Sequence, residues 1–129
     1  MNVPIELYQL ILIKSDFLAQ IRLRCANKLF YHRLEICDFY SIEWQYIKLL
    51  TDDILKNYSS ITKLSARSNS EITNVNHLTR LEILDAGCPN NGITDAGIVS
   101  ITNLKELYAY GNPGITNINH LTRLEILIA

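Results

Sequence analysis

"ITNVNHLTRLEILDA" (72–86) and "ITNINHLTRLEILIA" (115–129) are identical at thirteen of fifteen positions, the exceptions being Val75/Ile118 and Asp85/Ile128. The copies are offset by 43 residues. Extending that offset backward without a gap pairs residues 50–86 with 93–129, and 18 of those 37 pairs are identical. Thr51–Asp52 falls on Thr94–Asp95, Leu64 on Leu107, Ala66 on Ala109 and Asn69 on Asn112. The duplicated unit is therefore longer than the phrase, and a repeat of this length decides the fold before any other signal does.

Each 43-residue unit contains two smaller repeats of the form apolar-x-x-Leu-x-Ala. They are Ile61–Leu64–Ala66, Leu81–Leu84–Ala86, Leu104–Leu107–Ala109 and Leu124–Leu127–Ala129, and their starts are 20, 23 and 20 residues apart. Leu-x-Ala alternates with the period of a strand. Asn and Gly then turn the chain. Asn69 and Asn112 stand three residues after their Ala, whereas coil two reads "GCPNNGI" (87–93), lacks an Asn at that position and is one residue longer. In the longer return segments, "LTDDIL" (50–55) and "ITDAGI" (93–98) predict helix starts, with Thr51 and Thr94 as N-caps and Asp in the first turn. One coil is too small to bury its own leucines. Stacked coils bury them against each other as parallel strands, which predicts a solenoid.

Bulk composition bounds the function. Hydrophobic residues make up 48% of 129, enough for a packed core. Twelve basic and 13 acidic residues give a net charge of −1, with no basic excess to suggest nucleic acid. The longest apolar run, Leu10–Ile13 (or Leu7–Ile13 with Gln9 tolerated), falls short of the roughly 20 residues of a membrane span. An N-terminus that lacks a basic n-region and carries Glu6 predicts no signal peptide. Cys25, Cys37 and Cys88 are odd in number and far apart, as expected in a reducing intracellular compartment, cytoplasmic or nuclear. Neither metal nor cofactor is expected, because no ligand cluster, P-loop, GxGxxG or GxSxG is present.

Residues 50–129 resemble the leucine-rich repeat family, with Ala in place of the usual second Leu. The resemblance implies a curved array with strands on its concave face. Residues that flank the inward Leu and Ala then point into that face. They are Lys63, Ser65 and Arg67; Ile83, Asp85 and Gly87; Glu106, Tyr108 and Tyr110; and Ile126 and Ile128. Apart from Ile83/Ile126, the paired positions differ between the copies, and tyrosines there suit an interface.

The N-terminal text "VPIELYQLILI" (3–13) is of another kind. Pro4 suits a first helical turn and Glu6 complements a helix N-terminus. At about 100° per residue, Glu6 and Gln9 share one polar strip while Ile5, Leu7, Tyr8, Ile11 and Leu12 cover most of the rest. Ser15 or Asp16 can cap a second helix. The segment resembles the F-box, on Val3, Pro4, Glu6, Leu7, Ile11, Leu12, Leu23–Arg24 and "NKLFY" (27–31). F-box followed by leucine-rich repeats is a known family combination, including members predicted from large DNA viruses. The resemblance implies docking to a Skp1-like adaptor of a cullin–RING ubiquitin ligase through Val3, Pro4, Glu6, Leu7, Ile11, Leu12, Lys28 and Phe30, with the repeats holding an unknown target protein. The alternative reading is a plain protein-binding module whose N-terminal helices only cap the first coil.

The expected fold is therefore α+β: a three-helix F-box-like module over 1–40, a packed junction with the first repeat helix over 41–60, and about four coils over 61–129 with a small parallel sheet. In the junction Trp44 is read as a core anchor. His77 and His120 recur with the repeat and read as turn residues, not as a catalytic base, which would be needed once. Arg80/Arg123 and Glu82/Glu125 read as solvated or paired across coils. Asp52 and Asp53 point apart on a helix and are not a catalytic pair. Cys25 reads as a small buried hydrophobe. Neither an enzyme nor a membrane or nucleic-acid partner is expected. The stop on the fourth strand predicts either a truncated or decaying member of the family, or self-association through an uncapped edge at residues 124–129.

Overall fold

The computed structural model describes Asp16, residues 19–22, Ala26 and residues 35–129. Most of the proposed helical module, including Val3, Pro4, Glu6, Leu7, Ile11, Leu12, Lys28 and Phe30, lies outside the described residues, and its last residues form a strand.

The described chain is mixed α and β. Five strands run in chain order: β1 (Asp38–Phe39), β2 (Lys63–Ser65), β3 (Ile83–Asp85), β4 (Glu106–Tyr108) and β5 (Ile126–Ile128). They form one sheet, β1-β2-β3-β4-β5, with every neighbouring pair parallel. Each strand is thus one turn of a coil laid on the last. The register places Phe39, Leu64, Leu84, Leu107 and Leu127 in one row. Leu64, Leu84 and Leu107 are fully buried, and the facing wall is built by Leu55, Ile72, Val75, Leu78, Ile93, Ile98 and Ile101. Each such side chain contributes about 1.5–3 kcal/mol relative to exposure.

β2 to β5 fall on the four Leu-x-Ala stretches. β1 is an additional strand, formed by residues just before the repeats. Its signal is present but disguised: Ile36–x–x–Phe39–x–Ser41 follows the repeat form, with Phe for Leu and Ser for Ala, 25 residues ahead of Ile61. Ahead of it, Asp16 caps a helical turn at 19–22 by accepting from Ala19 N at 2.8 Å. Fully buried Gln20 accepts from the backbone N–H groups of Cys37 and Asp38 at 2.8 and 3.1 Å, so it covers part of the edge of β1.

Three single-turn helices sit on the return side: α1 (Trp44–Ile47), α2 (Asp52–Leu55) and α3 (Asp95–Ile98). The helix starts match the expectation, but the capping differs. Thr51 accepts from Ile54 N at 3.3 Å, whereas Thr94 makes no side-chain cap bond. Trp44 is not a core anchor. It is 71% exposed, and Lys48 Nζ lies 5.3 Å from its ring centroid. One helical turn can direct few side chains inward, and here the inward residue is Ile47, with Ile36, Phe39, Ile42 and Leu50 completing the packing.

Two devices lock one coil to the next. The first is an asparagine. Asn69 donates its amide to Ile47 O and Leu50 O at 2.6 and 2.9 Å and accepts from Glu71 N. Asn112 does the same with Ala86 O, Ile93 O and Gly114 N. Coil two does not lack this residue, as its spacing suggested. Asn91 donates to Ala66 O at 2.6 Å and accepts from Ile93 N. The turns start alike, with Ser68, Cys88 and Gly111 two residues past each Ala at φ of 55°, 88° and 68°. Coil two then delivers its Asn two residues later, so fixed spacing missed it.

The second device is the aspartate at each helix start. Asp52 accepts from Thr73 N, Thr73 Oγ1 and Asn74 N at 2.9, 2.6 and 3.2 Å. Asp95 accepts from Thr116 N, Thr116 Oγ1 and Asn117 N at 2.7, 2.6 and 3.0 Å. The "ITN" that opens each quoted phrase is thus the receiver of a clip. For Asp52, burial pushes the carboxyl upward, but the bonds from Thr73 and Asn74 outweigh it and hold it below its ordinary value. The bonds from Asn117 and Thr116 lower Asp95 likewise. A carboxyl lowered in the folded state stabilises fully above its unfolded value of 3.8 and loses that contribution as pH falls through the folded value. The thermal midpoint should therefore drop below about pH 3.8. The double variant Asp52→Asn/Asp95→Asn should melt lower at pH 7 and show a shallower acid limb in a pH series followed by circular dichroism. An unchanged acid limb would remove the clips from the account.

Candidate functional site

The face on the far side of the strands from the core gathers most of the strand side chains that differ between coils. In register order, one column holds Asp38, Lys63, Ile83, Glu106 and Ile126, and the next holds Ser65, Asp85, Tyr108 and Ile128. Ser65 and Gly87 are buried by their neighbours; Lys63, Ile83, Asp85, Glu106 and Tyr108 are half-buried; Arg67, Tyr110, Ile126 and Ile128 are exposed.

The sheet brings Asp85, Glu106 and Tyr108 together with Tyr40, a residue that the strand period of the repeats did not assign to this face. Tyr40 follows β1 directly, in the row of Ser65 and Asp85. Its ring centroid lies 6.3 Å from that of Tyr108 at 53°. Neighbouring strands are about 4.8 Å apart, so β1 and β4 are roughly 14 Å apart at the backbone. The rings meet because the intervening Ser65 and Asp85 are short, which leaves both tyrosines room to lean inward. Tyr108 donates to Glu106 Oε2 at 2.9 Å, and this bond, with burial, raises its phenol above the ordinary value. Burial first, then the nearby Asp85 and Glu106 carboxylates, raises Tyr40. Both phenols are therefore neutral hydrogen-bond donors at pH 7. With Tyr110, 64% exposed one row on, they form an aromatic platform of the type that anchors protein partners.

Other features of the face are minor. Arg67 lies beside Cys88, whose thiol is lowered by hydrogen bonds to Ser68 and Arg67. At the far end Ile126, Leu127 and Ile128 are 43%, 46% and 48% exposed. Leu127 also lines an open apolar hollow with Ile115, Ile118 and Pro113.

The copied residues do structural work. Asn76 donates to Ala96 O at 2.8 Å and accepts from Ser100 N at 2.7 Å. A ring nitrogen of His120 pairs with Ile98 O at 2.9 Å, whereas Nε2 of the half-buried His77 has no hydrogen-bond partner among the described residues. Lys105 pairs with Glu82 at 3.0 Å and Arg123 donates to Asn103 at 2.7 Å, both across coils. Asp53 faces solvent and pairs with Lys56. Among the described residues no group of His, Cys, Asp and Glu could hold a metal ion, and no helix is long and apolar enough to cross a membrane. No protein-family model matches the chain, and no curated protein matches it.

Proposed function

We propose that the chain is a non-enzymatic substrate-recognition adaptor: a leucine-rich-repeat array that holds a target protein, behind an F-box-like segment that docks to a Skp1-like chain of a ubiquitin ligase. The observation that carries the protein-binding half is the tyrosine platform on the strand face. Structural positions are copied from coil to coil, while Tyr40, Asp85, Glu106, Tyr108 and Tyr110 are not, as expected of a scaffold that varies only where it touches a partner. The docking half rests on Val3, Pro4, Glu6, Leu7, Ile11 and Leu12, with Lys28 and Phe30, which precede the repeats in the order the family combination uses. Affinity capture from a eukaryotic lysate should recover a Skp1-like adaptor and a cullin. Their absence, where a known F-box protein recovers both, would sink the ligase role.

A second reading is favoured by Gln20. Its buried amide oxygen receives two N–H groups from the edge of β1, and Ile21 packs partly against the core. Those contacts suit N-terminal helices that serve as the cap of the first coil, leaving a protein-binding module with no ligase partner.

A further inference from the structure

The rim of the sheet, just ahead of the strands, carries a second site. Thr62, Arg80, Glu82, Asn103, Lys105 and Arg123 line one shallow depression. Arg80, Asn103 and Arg123 stand three residues before β3, β4 and β5, so they occupy the same place on three successive coils. The two arginines are copies two coils apart, about 10 Å at the backbone by strand spacing. Side-chain bonds draw the cations of the later coils back toward Arg80. Arg123 Nη1 donates to Asn103 Oδ1 at 2.7 Å, and Asn103 is itself fixed by its amide to Thr79 O at 2.8 Å. Lys105 Nζ donates to Glu82 Oε2 at 3.0 Å, again one coil back. Three cations and one carboxylate leave the depression with a formal charge of +2 in a chain whose net charge is −1. The copied Glu125 is exposed nearby but does not line it.

The geometry points to a binding site for a phosphoryl group carried on a peptide. Such a group bears about −1.5 to −2 charges at pH 7, which matches the depression, and its oxygens suit guanidinium forks. Arg80, which makes no hydrogen bond or ion pair among the described residues, is the donor left for the ligand. Arg123 and Lys105 keep their present partners and add charge. This inference rests on the reading of the chain as a protein-binding array, but not on any ligase role.

The test uses the immobilised chain alone, so that failure to bind an adaptor cannot be confused with failure here. It is offered a degenerate peptide library with a fixed phosphoserine, and the same library with serine. The phosphoserine library should be retained about tenfold more, as for hydrogen bonds to a charged group. Arg80→Ala and Arg123→Ala should each remove most of that difference with the circular dichroism spectrum unchanged, and inorganic phosphate should compete. Arg67→Ala, on the strand face outside the depression, should leave it intact. Equal retention of the two libraries, or discrimination that survives both arginine substitutions, would overturn the proposal. Phosphate binding at these arginines without peptide discrimination would overturn the peptide as its source.

Discussion

Replacing Leu84 with alanine should destabilise the chain by about 2–5 kcal/mol. Leu84 is fully buried and sits in register between Leu64 and Leu107, with the core continuing on both sides along the stack. The cavity left by its removal is walled by neighbouring coils, which cannot collapse into it without losing their own strand register. Domains of this kind are stable by only about 5–15 kcal/mol, so the change consumes a large share. Leu127 is an internal control. It is the same letter of the duplicated phrase, yet it is 46% exposed. Leu127→Ala should cost about 1 kcal/mol or less, since far less area leaves water there. Urea unfolding followed by far-ultraviolet circular dichroism reads both. Equal losses would show that the end face is covered in solution.

Gly97→Ala should cost about 1–3 kcal/mol, by overpacking. A Cβ built on Gly97 would lie 2.1 Å from Thr73 O and 3.2 Å from Thr73 C, which are backbone atoms of the preceding coil and cannot rotate away. Gly97 O also accepts from Val75 N at 2.9 Å, so moving α3 outward to relieve the clash breaks an inter-coil bond. Val99, two residues on and 58% exposed, provides the contrast: Val99→Ala should stay within about 0.5 kcal/mol. The same urea series tests the pair. A Gly97→Ala variant as stable as the parent would mean that coils one and two are not in the contact described.

The repeat made much of this legible. Leu-x-Ala marked four strands, because burial of every second residue leaves a period of two that no helix produces. Thr-Asp marked two helix starts. The role of the Asp was not legible, since its partners Thr73 and Thr116 are 21 residues away in sequence and adjacent only once the coils stack. β1 was hidden because Phe39 and Ser41 fill the Leu and Ala places. Asn91 was hidden because it stands five residues after its Ala instead of three, although the turn at Cys88 starts as in the other coils. Trp44 misled because aromatic content was read as burial, when one turn of helix with Ile47 inward leaves Trp44, Tyr46 and Leu49 outside. On the site, the positions of Asp85, Glu106, Tyr108 and Tyr110 followed from the strand period. The approach of Tyr40 to Tyr108 depends on the small size of Ser65 and Asp85 between them, which only the register reveals.

The measurement that bears most directly on the adaptor reading is binding of the purified chain to a purified Skp1-like adaptor. The account predicts a stable complex. It should be abolished by Pro4→Asp or Leu7→Asp, while the circular dichroism spectrum of the repeats is retained. No complex, under conditions where a known F-box protein binds the same adaptor, would contradict it.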